Sequence, residues 1–218
     1  MVIFHNLIVS SIGCSCINQF QIEDFFLNNP DSYIEKGVFD YIIISPQSTI
    51  DLFKSINRYQ QVFEDINNYE ILKKKLFHKH FECLYFWHEK YIFNEFDLKK
   101  TILNIKKKIA NINPVPGMNH LLIWSNIQPN LKIMMEGIGQ DYNNFILTEQ
   151  LYRSLKEQTK LLYGENSRLI FISREQDVQG GLVSNSDVHI IELERSLDFR
   201  GEKKLFFNII NSYINQKS

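Results

Sequence analysis

The sequence predicts an α/β fold: a three-layer sandwich in one domain, residues 1–218, around a mostly parallel central sheet. Short apolar runs of strand length alternate with longer amphipathic stretches along the whole chain. Most of those runs are apolar at successive positions, the pattern of strands buried on both faces. That alternation of strand and helix signals is the signature of parallel strands joined by right-handed helical crossovers.

The expected strands are 7–12 (LIVSSI), 39–44 (FDYIII), 83–87 (CLYFW), 120–125 (HLLIWS), 168–173 (RLIFIS) and 188–193 (VHIIEL). Helix signals lie between them. Ile17, Phe20 and Phe25 can share a face. Ser48 with Asp51 resembles a capping box ahead of Leu52, Phe53 and Ile56. Ile102, Ile105, Ile109 and Ile112 form one stripe, Leu147, Leu151 and Leu155 another, and a last helix covers about 203–214. Residues 60–80 read as a helical excursion over one sheet edge. Asn113–Gly117 and Gly180–Gly181 read as loops.

Composition bounds the function classes. At 218 residues, 44% hydrophobic and 22% charged, the chain can bury a sizeable core. Its net charge of −1 predicts no global attraction to nucleic acid or to an anionic membrane. Three cysteines do not make a disulfide framework, and the first apolar run is far short of a membrane span. These features predict a cytoplasmic protein with no nucleic-acid or membrane partner. Gly137-Ile138-Gly139 lacks the third glycine of a dinucleotide fingerprint and there is no P-loop, so no cofactor is expected. His78, His80 and Cys83 lack a second ligand pair at zinc spacing, so no metal is expected either. Lys73–Lys75 and Lys106–Lys108 read as solvated helix faces.

The chemistry centres on Ser10-Ser11-Ile12-Gly13-Cys14-Ser15-Cys16, which leaves the first strand through a glycine and enters a helix. In a parallel sheet that turn lies at the carboxyl edge, where ligands bind. A thiol at a helix start feels the positive end of the dipole, and the turn's N–H groups can receive an oxyanion. Cys16 is the better placed thiol; the bland alternative is a small residue packed under the helix. His88, after the run CLYFW, is the candidate base. Asp40, an acid in an apolar run, needs a partner: either it orients the imidazole or it anchors a nearby loop.

Ser11-Ile12-Gly13-x-x-Cys16, then Phe39-Asp40-Tyr41, then His88-Glu89 resembles a bacterial family described as papain-like cysteine peptidases, which reads S-L-G-x-x-C, P-F-D-W and H-D. Val38, Tyr41 and Glu89 depart from that pattern. The likeness covers roughly the first 90 residues, and it implies a Cys–His site with Cys16 as nucleophile, His88 as base and Asp40 as the acid. A peptide or glycan-type substrate fits such a site. A doubly wound sheet is also similar to SGNH/GDSL hydrolases, in which Ser11 or Ser15 would replace Cys16. A polysaccharide-processing enzyme working without a covalent intermediate, or a non-catalytic binding protein whose motif is structural, are the remaining readings. Oligomeric state is not legible.

Overall fold

The computed structural model describes residues 1–14, 16–40, 42–55, 59–86, 89–192 and 203–217. Strands β1 (Val2–Phe4) and β2 (Leu7–Ser11) form a hairpin, followed by α1 (Cys16–Phe26) and β3 (Ser32–Ile34). Next come α2 (Pro46–Lys54), α3 (Tyr59–Glu64), β4 (Tyr69–Leu72), β5 (Lys75–His78) and α4 (Glu95–Ile109). The remaining elements are β6 (Asn119–Ser125), α5 (Leu131–Glu136), β7 (Leu147–Thr148), α6 (Glu149–Tyr163), β8 (Arg168–Arg174), β9 (Val178–Gln179), β10 (Val188–Ile191) and α7 (Lys203–Lys217).

The central sheet has the order β10-β8-β6-β2-β1-β3. β2, β6, β8 and β10 run parallel to one another, and β1, antiparallel to β2, and β3, antiparallel to β1, extend the sheet beyond β2. Alternation along the parallel strands divides the core in two. Val9, Leu121, Ile123, Ile170 and Ile172 pack with Ile17, Ile22 and Phe26 of α1 and with Phe206 and Ile210 of α7. Leu122, Trp124, Leu169 and Phe171 pack on the opposite face with α2, α4 and α6, through residues such as Phe53, Ile105 and Leu155. Burial on both faces is why these strands read as continuous apolar runs.

Four expected strands are therefore present, at 7–11, 119–125, 168–174 and 188–191; Leu193 lies outside the described residues. No strand forms among the described residues of the runs expected at 39–44 and 83–87, of which Tyr41 and Trp87 lie outside the described residues. Phe39 and Asp40 fall in a turn, and Ile43 and Tyr85 meet in an isolated antiparallel bridge. Ile42, Ile43, Ile44, Leu84 and Phe86 are buried in the same core as Trp124 without ladder neighbours on both sides. An apolar run reports burial, and here side-chain packing supplies the burial that a sheet supplies elsewhere.

The 60–80 stretch is only partly helical. α3 gives way to the β4–β5 hairpin, whose register Leu72↔Lys75 leaves Lys73 and Lys74 as a two-residue turn. Both hold positive φ, 48° and 63°, as the tightest hairpin turns require. Lys73 and Lys74 are thus a hairpin tip rather than a helix face, a conformation that two lysines do not advertise. The cap of α2 is Ser45, whose hydroxyl accepts from Ser48 N at 3.2 Å with Pro46 at the first helical position. In α1 the buried face is Ile17, Ile22 and Phe26, and Phe20 points outward. The α4 stripe falls as expected, with Ile112 in a short 3-10 turn after it, whereas of the second stripe Leu151 and Leu155 lie on α6 and Leu147 belongs to β7, ahead of the cap Thr148.

Candidate functional site

The turn after β2 sits beside the ends of β6 and β8. Gly13 has φ +123°, and a Cβ there would stand 2.1 Å from Cγ2 of Ile44, so both backbone and space demand glycine. Asn18, on the first turn of α1, donates to the carbonyls of Gly13 (3.2 Å) and Ile123 (3.4 Å). The Ser125 hydroxyl donates to the Asn18 amide oxygen. One buried side chain thus ties the start of the helix to the ends of two adjacent strands, and this holds Cys16 in place.

Cys16 is the first residue of α1 and is partly exposed, whereas Cys14 and Cys83 are fully buried; all three are free thiols. Its Sγ donates to Oε1 of Gln128 at 3.6 Å. That amide is aimed by two bonds of its own, from Nε2 to Oδ1 of Asn130 (2.9 Å) and to Sδ of Met134 (3.1 Å). Burial pushes the Cys16 pKa up, against the downward pull of the helix-start N–H groups of Cys16 and Ile17. The thiol therefore keeps its proton, and a base is needed to make it a nucleophile. Burial, helped by the charge of Asp177, raises Cys14 further, and burial raises Cys83 to about 11.

The same carboxyl edge carries a polar group that the sequence did not single out. Arg174, ending β8, donates from Nε to Asp177 (2.6 Å) and from Nη2 to the Tyr142 hydroxyl (2.6 Å). Asn126 is buried and donates to the Phe145 carbonyl at 3.0 Å, while its own Oδ1 has no hydrogen-bond partner among the described residues. The available signal was a polar pair directly after a buried run, Ser125-Asn126 and Ser173-Arg174. Further along this edge, Glu175, Gly180, Gly181, Val183 and Glu192 line an open groove of about 460 Å³.

Asp40 stands elsewhere. Its carboxylate accepts from the Met1 amine at 3.1 and 3.3 Å and from Gly37 N at 2.7 Å, which is the loop-anchoring role. Burial raises its pKa in spite of these partners. Among the described residues no hydrogen bond joins it to Cys16. His88 and Ser15 lie outside the described residues. Ser11 is buried, and its hydroxyl accepts from Gly13 N at 3.5 Å. His78 is buried with both ring nitrogens engaged: Nε2 donates to the Val62 carbonyl (3.2 Å) and Nδ1 accepts from His80 N (3.2 Å). Such a ring has no lone pair left for a metal.

No family model, no curated protein and no solved structure matches this chain.

Proposed function

We propose that this chain is a cysteine-dependent hydrolase or acyl- or glycosyl-type transferase, built as one three-layer α/β domain, with Cys16 as its nucleophile. The observation that carries this reading is the placement of Cys16: a partly exposed thiol on the first residue of an eleven-residue helix, at the carboxyl edge of a parallel sheet. A base takes the Cys16 proton, the thiolate attacks the carbonyl or ester carbon, and the leaving group departs with that proton. N–H groups at the start of α1 receive the negative charge on the oxygen. His88 is the base that the sequence offers. Gln128, holding the thiol proton in the resting state, keeps Sγ oriented until the base acts. A peptide or glycan-type substrate suits the open groove on the same edge. Free thiols and the absence, among the described residues, of any helix long and apolar enough to cross a membrane accord with a cytoplasmic setting.

The test is thiol labelling resolved by peptide mass spectrometry. Cys16 should alkylate with iodoacetamide faster than Cys14 or Cys83, which are shielded from solvent. Because its pKa is raised, the rate should climb on the alkaline side of an ordinary thiol's titration. A thiol-reactive activity probe should label the wild type and not Cys16→Ala, and labelling should collapse in His88→Ala. Probe labelling that is unchanged in His88→Ala removes the dyad and favours a binding protein whose thiol is structural.

A further inference from the structure

Residues 73–108 hold ten lysines, no arginine and four carboxylates, a net charge of +6 in a chain whose total is −1. The fold gathers much of this charge on one surface. The carbonyl of Lys74 accepts from Ile92 N at 2.9 Å, which lays the 91–93 segment along the β4–β5 hairpin tip. Lys74 Nζ stands 4.8 Å over the Phe93 ring and Lys75 Nζ 4.3 Å over the Tyr91 ring. Phe93 and Phe96 are among the most exposed large hydrophobic residues described, at 68% and 72%. Phe96, Lys100, Leu103 and Lys107 continue the surface as a helical stripe on the outer side of α4, with Leu103 half exposed. Lys73, Lys74, Lys90, Lys100 and Lys107 form no ion pair among the described residues.

We propose that this surface docks on an anionic phospholipid bilayer. Two signals coincide: apolar tips able to enter the headgroup boundary, and around them lysines that form no ion pair among the described residues and outnumber the nearby carboxylates Glu95 and Asp97, the combination that stable peripheral attachment needs. A single-stranded nucleic acid fits less well. Base stacking needs open ring faces, and lysine ammoniums already stand over Phe93 and Tyr91. The aliphatic Leu103 offers a base nothing, and there is no arginine fork for phosphate or guanine. The near-zero total charge conceals the patch because the rest of the chain is acidic.

The experiment is co-sedimentation of the full chain with phosphatidylcholine vesicles, with and without about 30% phosphatidylserine, in low and high salt. Binding is expected only with the anionic vesicles and should weaken with salt. Lys73→Glu with Lys74→Glu should cut partitioning by roughly fivefold or more per lysine. Phe93→Ser with Phe96→Ser should cut it by about tenfold. Lys204→Glu, on α7 across the sheet, should leave it unchanged. These positions are exposed, so circular dichroism should show all variants folded; Lys100→Glu with Lys107→Glu provides a second set on α4. Equal partitioning onto neutral vesicles, no sedimentation with either, or capture of a single-stranded oligonucleotide with none of the vesicles would overturn the proposal.

Discussion

The parallel half of the central sheet and the 39–92 segment contain equally apolar stretches but solve burial differently. In β2, β6, β8 and β10 every apolar run is a strand, because each has a neighbour to pair with and helices on both faces. Among the described residues between 39 and 92, similar runs become turns, isolated bridges and one small hairpin, packed against the sheet by side chains. Backbone pairing makes the first region tolerant of a single lost contact. The second depends on particular side chains: Ser45 and Ser48 both donate to the Glu82 carbonyl, and His78 to that of Val62. The difference teaches that hydrophobic pattern reports depth, and that ladder partners decide whether depth becomes a strand.

The largest expected effect lies where the regions meet. Gly13→Ala drives a methyl into Ile44 and forces a left-handed backbone, so it should cost roughly 3–5 kcal/mol. Urea unfolding measures this; a loss under 1 kcal/mol means Ile44 swings away freely and the regions are loosely joined. Next is acid sensitivity. Burial lowers His78 to about 4, below its ordinary value of 6.5, so protonation favours the unfolded chain. Its contribution is full above pH 6.5 and is lost as pH falls towards 4, on the order of 3 kcal/mol at most. His78→Gln should flatten that decline between pH 7 and 4.5; an unchanged slope assigns acid lability to other groups. The smallest effect compares two caps. Ser45→Ala removes a cap and a bond to Glu82, so about 1–2 kcal/mol is expected, against about 0.5–1 for Thr148→Ala, which loses only the bond from Leu151 N. Equal losses would mean the Ser45–Glu82 bond adds nothing.

Sequence reasoning reached the parallel strands and the stripes of α4 and α6 because period and continuity are local properties. It missed the β4–β5 hairpin, since Lys73-Lys74 lacks the glycine or asparagine that usually marks such a turn. At the site, Gly13 and Cys16 were visible as a glycine-led entry into a helix. Gln128 and the Arg174–Asp177–Tyr142 set were not, because only the sheet brings strand ends more than a hundred residues apart to one edge. Asp40 was legible as a buried acid in want of a partner, yet the Met1 amine and Gly37 N–H that satisfy it are tertiary facts.

The register that pairs Leu7 with Asn119 also sets a timetable. The β4–β5 hairpin closes over two residues and can form within microseconds, while the β2–β6 pairing must wait for a loop spanning half the chain. On a ribosome adding about 5–20 residues per second, β2 spends roughly 5–25 s with only β1 beside it. One edge of the molecule's central strand stays unpaired through that interval. The local hairpins, β1–β2 first and β4–β5 after it, therefore form ahead of the parallel sheet, and the carboxyl edge that carries Cys16 is assembled only after β6 and β8 emerge.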